Sequence, residues 1–294
     1  MSLPAESVIN FQKLHSKMVL SQLPLLKKIW PDFLTKAIDS RSVLSGITRY
    51  DIKQGTVTVI LLSLILTCGV LPLNAMAEHG TQTWNAAIRS VVIVNPTWPG
   101  YTKPGFGAPA GTAPAGSGVY FSENETTSKY ILTAAHVISR ATDIEIVDYS
   151  GRTLSAVIHA IDERRDIAFL KTEVKGPVIS LGTGKIPIGS HVCAIGNSFG
   201  LGHSLSCGVV SAVNRQNIGF NEIEDFIQTD AAINPGSSGG ALVDSAGRFV
   251  GLIDGIFTKD ADIDAGVNFA ISLSLIKVSL SEMQSRGISF NETK

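Results

Sequence analysis

From about residue 82 onward, short runs of apolar and β-branched residues alternate with clusters of turn-forming residues. Each run is about three to seven residues long, which is a usual length for a strand. The twelve runs occupy residues 90–94, 118–121, 130–133, 144–147, 154–160, 167–171, 191–195, 207–213, 226–228, 241–243, 249–253 and 267–271. Because helical periodicity is weak in this region, the pattern predicts an all-β fold, either a barrel or a pair of sheets.

Two segments of this region depart from the strand pattern. Residues 275–284 repeat apolar positions at helical spacing and are followed by Gly287, so a closing helix is predicted there. Residues 95–116 are rich in Pro, Gly and Ala, a composition that argues against a strand and predicts a long surface loop. We therefore place one folded domain over residues 82–290.

Residues 1–77 have the character of a basic leader with a signal peptide or a signal anchor. Its apolar part, residues 56–73, has about the length of a signal-peptide core and is short for a comfortable membrane span. The small-x-small pattern at residues 75–77 fits signal peptidase. Basic residues precede the apolar run and none follows it before Arg89, which places residues 78–294 outside the cytoplasm.

Two outcomes remain open for this leader. Cleavage after Ala77 would release a soluble protein, whereas an uncleaved segment would tether the protein to the membrane. We expect a periplasmic or otherwise extracytoplasmic location, either secreted or anchored in the inner membrane. An organellar lumen is the alternative, although four acidic residues in the leader argue against a transit peptide.

Composition excludes several classes of function. Residues 1–77 hold eight Lys/Arg and four Asp/Glu, a balance of +4 that leaves −5 for the rest of a chain whose total charge is −1. A mildly acidic folded region argues against a nucleic-acid partner. The chain has three cysteines without C-x-x-C spacing and six histidines without an H-E-x-x-H pattern, so we expect neither a metal site nor a cofactor.

Cys193 and Cys207 fall on two predicted strands that a Gly-rich turn joins. They could lie opposite each other in a hairpin, where cross-strand neighbours are near enough to bridge. A disulfide and two buried free thiols both remain open.

The strongest chemical signal is the NPGSSGG segment at residues 234–240. Glycines allow a tight backbone turn, and consecutive N–H groups in such a turn can point to one spot. Ser238 is thus a candidate nucleophile, and the backbone N–H groups of Gly236, Ser237 and Ser238 form a candidate oxyanion hole. Taken alone, the segment is also compatible with a Gly/Ser surface loop.

Two further residues complete a catalytic constellation. His136 ends an apolar run, and Asp166 opens another. The order His, Asp, Ser is the one that double β-barrels use for a catalytic triad. His136 would act as base and Asp166 would orient it, while Ser238 attacks, which predicts a serine endopeptidase working through an acyl-enzyme. The G-x-S-x-G elbow of esterases is missing.

At these residues the chain resembles the HtrA/Deg family of trypsin-like serine proteases. The resemblance runs over about residues 82–287 and rests on five segments in order: TAAHV (133–137), DERRDIAFL (162–170), AIGNSFG (194–200), QTDAAINPGSSGGAL (228–242) and GVNFAI (266–271). It implies two perpendicular six-stranded antiparallel β-barrels of the chymotrypsin type, with the triad in the cleft between them. A long loop between the first two strands is also implied.

The resemblance further implies polypeptide substrates, including unfolded ones, a role in protein quality control or processing, and assembly as a homotrimer. Ser237 and Ser198 stand where the family usually has Asn and Pro. Because the sequence stops at Lys294, we expect no C-terminal PDZ domain. The alternative function is a catalytically latent binding or chaperone module of the same fold. A second alternative is a processing protease that cuts a single membrane-protein partner.

The resemblance also suggests a specificity pocket. In trypsin-like enzymes the residue six positions before the nucleophile lies at the pocket floor, and here that residue is Ala232. We assign Ile253 and Asn268 to the same substrate pocket. Without an acid at the floor, small or medium apolar side chains are expected before the cleaved bond, rather than Lys or Arg.

Overall fold

A computed structural model describes residues 75–99, 115–183, 185–256 and 266–290. The predicted apolar leader segment 56–73 and most of the Pro/Gly-rich loop lie outside the described residues. Within the described ranges, no helix combines the length and apolar character needed to cross a membrane.

In the part of the chain that the structure describes, twelve antiparallel strands close into two six-stranded barrels, which confirms the predicted fold class. The first barrel contains β1 (Val91–Thr97), β2 (Gly116–Tyr120), β3 (Thr127–Ala134), β4 (Asp143–Val147), β5 (Thr153–Asp162) and β6 (Ile167–Pro177), in the order β1-β2-β3-β6-β5-β4. The second contains β7 (His191–Gly196), β8 (Ser204–Arg215), β9 (Phe226–Thr229), β10 (Ala241–Asp244), β11 (Phe249–Ile256) and β12 (Asn268–Ser272), in the order β10-β11-β12-β9-β8-β7. Each predicted run lies within or overlaps one of these strands.

The barrels are held together by a shared apolar core. Phe121 and Phe169 of the first barrel belong to the same buried cluster as Phe249 of the second. The Phe121 ring meets Phe169 edge-on at a centroid distance of 6.0 Å and Phe249 at 6.1 Å. Aromatic pairs in this geometry stabilise beyond their buried area, so the contact fixes the two barrels beside the cleft that they form.

Within the described ranges, three α-helices accompany the barrels. Helix α1 (Ala75–Ala87) leads through a 3-10 turn (Ile88–Ser90) into β1, and α2 (Ala135–Ile138) is a single turn after β3. The predicted closing helix is α3 (Leu273–Ser285). It starts two residues earlier than predicted because the Ser272 side chain caps it, accepting a hydrogen bond from the N–H of Leu275 at 3.1 Å.

The sequence pattern did not reveal helix α1, which crosses the boundary drawn between the leader and the folded domain. Thr83 on this helix is fully buried, and its hydroxyl donates to the carbonyl of Ser245 in the turn between β10 and β11. Residues before the first strand therefore pack against the second barrel.

The predicted loop 95–116 is shorter at both ends than expected. Residues 95–97 continue β1, and Gly116 begins β2. Pro96 is accommodated because β1 pairs with β2 only as far as Val94, so Pro96 has a paired neighbour on the β4 side alone. Proline is tolerated at such a strand edge.

Candidate active site

His136 and Asp166 make a two-point contact. His136 lies on α2, directly after β3, and Asp166 ends the turn between β5 and β6. His136 Nδ1 lies 2.6 Å from Asp166 Oδ2, and the backbone N–H of His136 donates to Asp166 Oδ1 at 2.7 Å. Because both carboxylate oxygens bind the same residue, the imidazole ring is held in one orientation.

Asp166 is held in an uncommon backbone conformation. Its φ of 56° lies in the left-handed region, which is unusual for a residue other than glycine. Its neighbour Arg165 is buried and forms ion pairs with Asp162 at 2.7 Å and with Glu282 of α3 at 2.8 Å. The turn that presents Asp166 is therefore tied to the C-terminal helix.

The surroundings of His136 favour its protonated form. Although burial lowers the pKa of His136, the hydrogen bond and negative charge of Asp166 raise the pKa above its ordinary value. The His136 side chain is nevertheless 50% exposed, so its other face opens to solvent. This is the environment that a general base needs.

Ser238 lies in a tight turn between β9 and β10. Gly236 in this turn has φ of 94°, and a Cβ there would collide with the carbonyl oxygen of Asn197, so only glycine suits the position. In the described part of the chain, the N–H groups of Gly236 and Ser238 have no hydrogen-bond acceptor. Both remain available to an anion.

The Ser237 N–H, the third predicted oxyanion donor, is already used. It donates to the carbonyl of Asn234 at 2.9 Å, which closes the turn. The buried Ser237 hydroxyl shares a hydrogen bond of 2.8 Å with the hydroxyl of Ser198. Ser237 therefore stabilises the turn and does not offer its amide to the cleft in this conformation.

Ser117 on β2 clamps the nucleophile turn. Its hydroxyl donates to the carbonyl of Gly236 at 2.8 Å and accepts from the N–H of Asn197 at 2.9 Å. Its backbone N–H donates to the carbonyl of Ser238 at 2.9 Å. Sequence reasoning missed this residue, since the only signal is a serine between two glycines in an apolar strand.

The three predicted catalytic side chains line one cleft of about 560 Å³. Asp166 and His136 are hydrogen-bonded to each other, but no hydrogen bond joins Ser238 to His136 among the described residues. The Ser238 hydroxyl instead donates to the backbone carbonyl of Asp254 at 3.0 Å. Asp254, which the sequence analysis did not single out, also lines the cleft.

The residues assigned to the substrate pocket do not line this cleft. Ala232 is half-buried, while Ile253 and Asn268 are fully buried. The Asn268 side-chain amide donates to the carbonyl of Ala231 at 2.9 Å and so fixes the backbone beside Ala232. Their role in specificity stays a prediction.

Of the two alternatives for Cys193 and Cys207, the structure contains the disulfide. The two residues are direct partners in the β7–β8 register. Cys193 is buried and Cys207 is exposed. The bond joins the two strands whose connection, with Asn197 and Ser198, contacts the nucleophile turn.

Comparison with known proteins agrees with this architecture. Residues 116–252 match the family model of the trypsin-like peptidase domain. The periplasmic serine endoprotease DegP of Escherichia coli (strain K12) is 36% identical over 161 residues, which cover 54% of this chain and 34% of DegP. The solved serine endoprotease from Yersinia pestis is 32% identical with a TM-score of 0.56, and the match covers 71% of this chain and 67% of that one.

The chain belongs to the HtrA-type family of trypsin-like serine proteases. A solved HtrA-type structure, the protease AlgW with a tripeptide, is 35% identical with a TM-score of 0.62, covering 71% of this chain and 64% of AlgW. The match spans about a third of the length of the curated relatives, as it does for DegP at 34%. The similarity to these HtrA-type proteins concerns the protease domain.

Proposed function

We propose that this chain is a serine endopeptidase that works through an acyl-enzyme. His136 accepts the proton of the Ser238 hydroxyl as the oxygen attacks a peptide carbonyl, and Asp166 stabilises the imidazolium. The N–H groups of Gly236 and Ser238 stabilise the oxyanion. His136 then passes its proton to the leaving amine, and water releases the acyl group by the same route in reverse.

The observation that carries this proposal is the two-point contact between His136 and Asp166 in the cleft that Ser238 also lines. The Ser238 hydroxyl rests on the carbonyl of Asp254. In the proposed mechanism the hydroxyl turns from that acceptor to His136, and catalytic hydrogen bonds in free enzymes often tighten only when substrate binds.

We propose polypeptides, including unfolded ones, as substrates, cleaved outside the cytoplasm. The names of the relatives as periplasmic serine endoproteases support this location, and the basic, apolar leader is consistent with it. Ala232 supports a preference for small or medium apolar side chains before the cleaved bond. Homotrimer formation and membrane anchoring remain predictions.

Hydrolysis of unfolded casein tests the proposal. The wild-type protein should cleave casein, and Ser238→Ala should reduce the rate by at least about 10⁴-fold because the nucleophile is lost. Ser245→Ala is the matched control, since Ser245 lies exposed in the turn between β10 and β11. An unchanged rate in Ser238→Ala would remove Ser238 as nucleophile, and a wild-type protein that binds casein without cutting it would support the latent module instead.

A further inference from the structure

A second carboxyl group, that of Asp254, is buried beside the candidate triad. The pairing of β11 with β12 shifts register between Ile253, which faces Ala270, and Gly255, which faces Phe269. Asp254 is the residue left over at this bulge, and bulges turn a side chain away from its normal strand direction. The residue is only 6% exposed, which is rare for an acidic side chain.

Asp254 contacts every member of the candidate triad. Its Oδ1 atom lies 4.0 Å from His136 Nδ1. A carboxyl oxygen of Asp254 lies within 4.8 Å of a carboxyl oxygen of Asp166. Its backbone carbonyl accepts from the Ser238 hydroxyl at 3.0 Å. On the other side, the side-chain amide of Asn221 donates to Asp254 Oδ2 at 2.9 Å.

The charged groups that face Asp254 are Asp166 and His136 from the first barrel. The loop between β8 and β9 contributes Asn221, while its three acids are engaged elsewhere, Asp225 by accepting from the Ser272 hydroxyl at 2.5 Å. Glu222 pairs with the exposed Arg164 at 2.9 Å, and Glu224 accepts from the backbone N–H groups of residues 218–221. Asp254 therefore faces one carboxylate and one imidazole.

Two carboxyl groups that are buried this close together disfavour a second negative charge, so one of them holds a proton. Burial, and then the negative charge of Asp166, raise the pKa of Asp254 well above its ordinary value. Asp166 is the acid that accepts from His136 through both oxygens. The proton consequently belongs on Asp254, which can then donate to Asp166.

We propose that Asp254 is a positioning residue of the active site, whose protonated carboxyl group donates to Asp166 and holds that carboxylate against His136. This inference rests on the proposed serine endopeptidase function. As the pH rises, Asp254 loses its proton to solvent and two carboxylates repel each other across the contact. The Asp166 carboxylate then loses its support, so activity falls on the alkaline side.

Asparagine and alanine separate this role from a merely structural one. The amide of Asp254→Asn can donate to Asp166 through its nitrogen and accept from Asn221 through its oxygen, and it cannot ionise in this pH range. Asp254→Ala can do neither. Asp143→Asn, at an exposed acid on β4, is the control for removal of a carboxyl charge.

The first test is the pH profile of kcat and KM for a peptide substrate. Asp254→Asn should keep kcat within about threefold of wild type at neutral pH and lack the alkaline descending limb. Asp254→Ala should lose at least about tenfold in kcat with little change in KM. Asp143→Asn should match wild type.

A second readout does not depend on activity. In protein carrying Ser238→Ala and ¹⁵N-labelled histidine, the proton between His136 Nδ1 and Asp166 should give a downfield NMR signal. We expect Asp254→Asn to retain this signal and Asp254→Ala to shift or broaden it, with unfolding temperatures showing that each variant is folded. An unchanged alkaline limb in Asp254→Asn, or an unaltered signal in folded Asp254→Ala, would overturn the proposal.

The two tests also distinguish this inference from the proposed function. If wild-type protein cleaves no substrate but the NMR signal responds to residue 254 as expected, the positioning contact stands and the endopeptidase proposal fails. If cleavage depends on Ser238 but both variants at residue 254 match wild type, the endopeptidase stands and the positioning role fails.

Discussion

Removal of the Arg165 side chain should destabilise the folded protein because it leaves the buried carboxylate of Asp162 without its cation. Arg165 is 7% exposed and makes three charge-assisted hydrogen bonds, one to Asp162 at 2.7 Å and two to Glu282 at 2.8 and 2.9 Å. In Arg165→Met the apolar stem is kept while these bonds are lost. The variant therefore isolates the ionic contribution from packing.

The magnitude follows from what the lost arginine leaves behind. Asp162 is 12% exposed and, among the described residues, would keep only the hydroxyl of Ser279 as a side-chain partner, at 2.7 Å. Glu282 is 39% exposed and can rehydrate. Breaking a buried pair costs 3–5 kcal/mol, and since one partner rehydrates we expect the lower end, about 3 kcal/mol. For a domain of this size that is a fall in Tm of about 6–12 °C.

Urea unfolding followed by circular dichroism measures this effect, and Arg164→Met is the matched control. Arg164 is the adjacent arginine, but its pair with Glu222 is exposed on both sides, so its loss should cost less than about 1 kcal/mol. Replacing Asp162 by Asn in the Arg165→Met background should recover part of the stability, because the stranded charge is gone.

The pH dependence of this loss has a definite sign. Although burial raises the pKa of Asp162, the hydrogen bonds from Ser279 and Arg165 and the charge of Arg165 outweigh it and lower the pKa below its ordinary value. The resulting stability is present above the unfolded pKa of about 4 and is lost as the pH falls through the lower folded value. The difference between wild type and Arg165→Met should shrink in that acidic range. A loss no larger than that of Arg164→Met would refute the reasoning.

Three further outcomes follow from the site. Because the pKa of His136 is raised, kcat/KM should climb with pH through an apparent pKa above 6.5. A climb with an apparent pKa below 6.5 would contradict the contact with Asp166. Reduction of the bond between Cys193 and Cys207, which are 14 positions apart, should lower the free energy of unfolding by about 3 kcal/mol in urea titrations, whereas no change would exclude a stabilising role. Gly236→Ala should lower kcat by about 100-fold or more. Gly151→Ala is the control, because φ is also positive there but no atom lies near the added Cβ. An unchanged kcat in Gly151→Ala would show that backbone strain alone does not lower activity.

Much of the fold could be predicted because each strand carries its own local signal. Runs such as residues 191–195 and 249–253 are short, β-branched and bounded by turn residues, so periodicity alone located them. Helix α1 escaped prediction because residues 75–77 also fit a signal-peptidase site. Its burial becomes apparent only through a distant contact, that of Thr83 with Ser245.

The candidate site likewise contains some residues that local sequence signals reveal and others that they do not. Ser238, His136 and Asp166 could be chosen because glycine spacing and chain order mark them. Asp254 and Ser117 could not, since their importance depends on a register shift in β11 and on the approach of β2 to the nucleophile turn. Both arise when the two barrels close around the cleft, and no local pattern encodes them.

Ser238 beside an imidazole base is the central claim, and labelling with a fluorophosphonate probe tests it most directly. The wild-type protein should take up one label that mass spectrometry maps to Ser238, and His136→Ala should slow the labelling strongly because the hydroxyl loses its base. An adduct on Ser237 instead, or labelling at Ser238 that is equally fast without the imidazole, would contradict the account.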